Sequence, residues 1–138
     1  MSTVFFNLQA ALHSRLSTMT SVPPVAWPNY GYTPTAGTLW LRPTVLPADT
    51  AAATMGDSGT DEQTGVYQID IFAPLDEGDG AARAMADALA DRFKPVTELT
   101  YNGLTVRCIS GSIGGLIRED NWLHLPVKIR YLSYTTKR

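Results

Sequence analysis

The sequence predicts an α+β domain: a mainly antiparallel sheet with two helices packed on one face. Three observations carry this. Tyr67, Ile69 and Ile71 alternate with Gln68 and Asp70, the period of two that marks a half-buried strand. One acidic loop later, Ala82, Met85, Ala86, Leu89 and Phe93 recur at helical spacing, with Arg83, Asp87, Asp91 and Lys94 mostly on the other side. The remainder reads as a run of strands with clean in/out alternation, which favours antiparallel pairing and helices segregated to one face.

The first helix spans residues 3–19, where Phe5, Leu8, Leu12 and Leu16 form a stripe and Ser2 or Thr3 can cap. Residues 23–37 carry four prolines and two glycines. This is an ordered but irregular connection, in which Trp27, Tyr30 and Tyr32 can bury large area. Residues 38–46 form the first strand, with Leu39, Leu41 and Val45 on one face and Trp40, Arg42 and Thr44 on the other. Pro43 within it argues for a sheet edge or a bulge. Residues 47–64 are small, polar and acidic without a period, and read as a mobile loop or a protruding hairpin. The strand at 66–72 stops at Pro74, and Asp79 can cap the helix that follows. Residues 96–100 and 104–109 flank Asn102-Gly103, a hairpin turn in which both residues tolerate positive φ. A glycine-rich connection at 110–115 and a short strand at 116–118 lead to residues 122–134. There Leu123, Leu125, Val127, Ile129 and Tyr131 face in, while His124, Lys128 and Arg130 face out as surface residues. Residues 135–138 read as a frayed basic end.

At 138 residues the chain is one domain, residues 1–138, large enough to bury most of its apolar surface. The net charge of −2 gives no basic excess to hold a phosphate backbone. Cys108 is alone, so no intrachain disulfide forms, and it reads as a small core residue. No basic segment precedes a long apolar run at the start, and no uncharged apolar stretch is long enough for a membrane span.

The chemistry-bearing motifs fail on inspection. Gly56-Asp57-Ser58-Gly59 matches the nucleophile segment of trypsin-like proteases. Those enzymes are much longer, and His13 is the only histidine upstream here. Counted from Asp57 as a calcium loop, the third position is Gly59 and the sixth Glu62, where an acid and a glycine are required. The glycine-rich run at 111–115 lacks the Lys-Ser/Thr ending and the following helix of a phosphate loop. His13 and His124 have no companion ligands at metal spacing. No catalytic, cofactor-binding or metal residue is assigned, and no cofactor is expected.

Trp27-Pro28-Asn29 followed by Pro34 and Gly37, then Leu39-Trp40-Leu41-Arg42-Pro43, open a pattern that continues through residues 65–74, the helix at 82–93 and the closing Trp122-Leu123-His124-Leu125-Pro126-Val127. Taken together, these resemble the tail terminator family of long-tailed bacteriophages over nearly the full chain. Pro43 departs from a plain strand residue. The resemblance implies an α+β virion protein without catalytic residues. Its copies assemble into a ring, usually six-fold, that caps the completed tail tube and joins tail to head. The implied partners are copies of itself, the tail tube protein and a head-completion or connector protein. DNA passes through without specific binding, and no membrane is involved. The implied location is the head-proximal end of the virion tail, after assembly in the host cytoplasm. The alternatives are another phage neck subunit and, more remotely, a small hydrolase or ligand-binding domain. A closed ring needs two different patches per subunit, and strand edges supply them naturally. The candidate interface residues are therefore Trp40 and Arg42 in the first strand, Met55, Asp57, Asp61 and Glu62 in the acidic stretch, and Lys128 and Arg130 on the last strand. Asp49, Asp57, Asp61 and Glu62 would border the passage and repel DNA.

Overall fold

A computed structural model describes residues 4–52, 59–119 and 121–136. Among these described residues two helices and six strands follow in the order α1 (Val4–Ser17), β1 (Trp40–Ala52), β2 (Thr60–Pro74), α2 (Gly80–Arg92), β3 (Glu98–Tyr101), β4 (Leu104–Ile113), β5 (Ile117–Arg118) and β6 (Trp122–Thr136). The strands form one antiparallel sheet in the order β1-β2-β6-β4-β3, with β5 on β6. The fold is α+β, as the sequence predicts, and β6 is central.

The alternation seen in the sequence builds the core. Tyr67, Ile69 and Ile71 of β2 and Leu125, Val127, Ile129 and Tyr131 of β6 are buried. They meet Leu8, Ala11, Leu12 and Leu16 of α1 and Ala82, Ala86 and Leu89 of α2, with Phe93 just after it. Burying a side chain of this size contributes roughly 1.5–3 kcal/mol. The two helix C-termini are tied reciprocally. Arg15 Nε donates to the Arg92 carbonyl and Arg92 Nε to the Arg15 carbonyl, both at 3.0 Å. Each guanidinium thus satisfies a carbonyl that the end of a helix leaves unpaired. Asn102 and Gly103 both adopt positive φ, 50° and 80°, as a tight hairpin turn requires.

Several expectations need correction. Residues 47–52 and 60–64 are strand: β1 and β2 pair as far as Ala52↔Asp61, so the hairpin alternative holds for this stretch. Ladder hydrogen bonds come from the backbone and do not need apolar alternation, so periodicity missed them. For the same reason the glycine-rich segment remains strand through Ile113, paired with Val127. Thr135 is buried in β6, which runs to Thr136, because the β2 arm pairs with it at Asp61. In the other direction, β3 begins only at Glu98: Val96 is exposed with φ 72°. Phe5 is 39% exposed although it lies on the helical stripe. Asp79 stands at the N-cap position of α2 without a capping hydrogen bond. Its carboxylate binds Arg83 Nε at 2.7 Å instead, which lowers its pKa. Ser2 and Thr3 lie outside the described residues.

Candidate functional site

Both helices lie on one face of the sheet, which leaves the other face without a helix. On that face the register sets Trp40 opposite Phe72 and Phe72 opposite His124. The three rings stack across three strands: Trp40 on Phe72 with centroids 4.3 Å apart and planes at 14°, then Phe72 on His124 at 4.7 Å and 11°. Tyr32 from the proline-rich connection and Trp122 edge-on complete the cluster around Trp40. Arg42 lies 4.9 Å over the Phe72 ring, in reach of its negative π-face.

Asp70 is buried beside this ladder, two residues along β2 from Phe72, and is 3% exposed. A buried carboxylate persists only with partners, and Asp70 has three. It accepts from His124 Nε2 at 2.8 Å, Gln68 Nε2 at 2.9 Å and Arg42 Nη2 at 3.3 Å. On the far side of the ring, His124 Nδ1 is 3.3 Å from Glu119 Oε1, close enough for ion pairing but outside hydrogen-bond geometry. His124 is therefore not a free surface residue: its outward direction was legible, but the β2–β6 register that brings Asp70 and Phe72 against it was not. Asp70, Phe72 and Glu119 are absent from the sequence-derived set for the same reason.

Of that set, Trp40 is 8% exposed and held inside the subunit, and Arg42 joins it through Phe72 and Asp70. Lys128 and Arg130 are exposed on the helix-free face of β6, in register with Gln68 and Val66. They have no salt-bridge partner among the described residues. Asp61 and Glu62 are half-buried on the β2 arm, paired with Ala52 and Ala51, and do not meet the Trp40–Arg42 cluster. The arm is cross-braced: Thr50 Oγ1 donates to Gln63 Oε1 at 2.6 Å, and Gln63 Nε2 to Thr135 Oγ1 at 3.4 Å. Met55 and Asp57 lie outside the described residues.

The edge of β1 is a poorer docking edge than the sequence suggests. Leu41 points its backbone away from β2 and bonds the residue 24–26 segment there: its N–H donates to the Pro24 carbonyl, and its carbonyl accepts from Ala26. By alternation Pro43, Val45 and Pro47 also face outward. Two of these three lack an N–H, so Val45 is the single free donor along 43–47.

Elsewhere the polar groups serve packing. His13 Nδ1 is 2.7 Å from Tyr67 Oη, and its ring meets Trp27 edge-on at 5.1 Å. Burial lowers the His13 pKa and raises that of Tyr67. Cys108 is buried and its thiol is pushed up to about 11, the behaviour of an inert core thiol. Among the described residues no group of three or more His, Cys, Asp or Glu could hold a metal ion, and no helix is long and apolar enough to cross a membrane.

The family model described as "Phage tail terminator protein" matches residues 7–131. A solved structure bearing no functional name is 28% identical and superposes with a TM-score of 0.76, covering 99% of both chains. No curated protein matches.

Proposed function

Because the chain belongs to the phage tail terminator family, a family of structural phage tail proteins, we propose that it is the ring-forming subunit that caps the completed tail tube. Six copies close the ring at the head-proximal end of the tail. One face meets the tube, and the other offers the joining surface for a head-completion or connector protein. The subunit works by contact alone and carries no bond-making centre.

The observation that supports this best is the pair of unlike surfaces on one subunit. One is the helix-free face with exposed Lys128 and Arg130. The other is the hairpin arm, on which Ala48, Thr50, Ala51 and Ala52 are exposed and Glu62 and Asp61 are carried. Two different patches are what a head-to-tail ring needs. Acidic groups on the arm and a net charge of −2 suit a passage that DNA must cross without sticking.

The test is to produce virions lacking this subunit, and virions with residues 51–62 replaced by the four-residue turn Gly-Asn-Gly-Ser. The turn lets Thr50 and Gln63 remain opposite each other and keeps the Thr50–Gln63–Thr135 bonds. Without the subunit, tubes overrun their length and stay headless; with the arm removed, tail completion fails. Tubes of normal length that accept heads in its absence, seen by electron microscopy, would overturn the reading.

A further inference from the structure

The two sides of the sheet are not equally protected, and the unprotected part is short and well defined. Beyond the reach of β3, whose side of the sheet is filled as far as the Cys108 bonds to Val96 and Thr97, β4 pairs only with β6. Gly114 donates to the Pro126 carbonyl at 2.8 Å, so its neighbour Ile113 points N–H and C=O away from β6, and by alternation so does Gly111. Ile109, Gly111, Ser112 and Ile113 are exposed, and residues 109–113 contain no proline and no charge. Ile109, Ile113 and Ile117 are 41%, 43% and 47% exposed. Charge and proline are the usual protections of an edge against strand addition; β1 has Pro43 and Pro47, and this stretch has neither.

We infer that residues 109–113 of β4 are the acceptor edge of the ring interface, and that the strand added there is the β1 arm of the next copy, residues 48–52. This rests on the ring reading above and specifies its contact. The arm is the only part of β1 beyond its two prolines, and past the bulge on each strand its ladder residues 49–52 match residues 110–113 of the open edge in length. Charge selects this pairing over the symmetric one. Lys128 and Arg130 are in register with Ser112 and Ser110 beside the edge, whereas Glu62 lies beside the arm at Ala51. Arm-to-edge pairing brings opposite charges to the same neighbourhood. Pairing two β4 edges would bring two basic rows together and close a dimer in place of a ring.

The experiment compares the full-length wild type with Ile113→Pro, Ile113→Lys and Val45→Pro, by native mass spectrometry and light scattering, alone and with tail tube protein. Circular dichroism confirms that each variant is folded. Ile113→Pro removes only an outward N–H; Ile113→Lys covers the case in which proline disturbs the strand. Both are expected to raise the protein concentration needed for ring formation at least about tenfold, while Val45→Pro on the β1 edge assembles as wild type does. Lys128→Glu weakens assembly, and Lys128→Glu combined with Glu62→Lys restores part of it. Folded Ile113 variants that assemble normally overturn the edge assignment and leave the ring reading standing, as does an equal loss in Val45→Pro. A wild-type protein that stays monomeric even with tail tube present overturns both.

Discussion

Gly65 is where the hairpin arm leaves the core, and replacing it with alanine tests the packing there. It pairs with Pro47 on one side and Tyr131 on the other. A Cβ built on Gly65 meets the Tyr131 hydroxyl, lies 2.6 Å from Tyr131 Cζ and 2.7 Å from the Leu46 carbonyl oxygen. Real Cβ atoms do not approach that closely. Tyr131 is 1% exposed and can swing away only by giving up its core packing, and the second obstacle is backbone. The strain therefore falls at the upper end of overpacking costs, about 3 kcal/mol. For a domain of this size that lowers Tm by roughly 12 °C, at roughly 4 °C per kcal/mol. Urea and thermal denaturation of Gly65→Ala, Tyr131→Leu and the double variant measure it. Shortening Tyr131 removes the ring clash but not the Leu46 contact. The double variant should therefore be less damaged than the two single losses added together, by at least about 1 kcal/mol. Losses that add to within about 0.5 kcal/mol, or a Gly65→Ala Tm unchanged from wild type, would refute the argument.

Two further outcomes follow from buried polar groups. Burial holds the His13 imidazole below its ordinary 6.5, so the unfolded chain binds that proton more tightly. The contribution of neutral His13 is complete above pH 6.5 and is lost as pH falls below it toward the folded-state pKa; Tm measured from pH 7.5 to 5 should fall more steeply in wild type than in His13→Gln, and parallel profiles would contradict this. Asp70→Ala leaves His124 Nε2 and Gln68 Nε2 without their acceptor and should cost about 2–3 kcal/mol. Asp70→Asn, which keeps one acceptor oxygen, should cost less, with tryptophan fluorescence reporting the loosened Trp40–Phe72–His124 stack.

What local sequence determines here is the set of elements and their inward faces. Each can be read within a few residues: the 2.0 period of residues 67–71 and 123–131, the 3.6 period of 82–93, the positive-φ turn at Asn102-Gly103. These signals placed the core and the fold class, and they set Trp40, Arg42, Asp70, His124, Lys128 and Arg130 on the faces opposite the inward residues. The tertiary structure decided which of those outward residues meet. Residues 70 and 124 are far apart in the chain, and only the β2–β6 register makes one carboxylate hold that histidine. It decided, too, that Pro43 and Pro47 face away from β2 while Gly111 and Ile113 face away from β6. That distinction depends on pairing between strands, because a strand shows its side-chain alternation in its own sequence but acquires the direction of its backbone donors only from the neighbour it bonds.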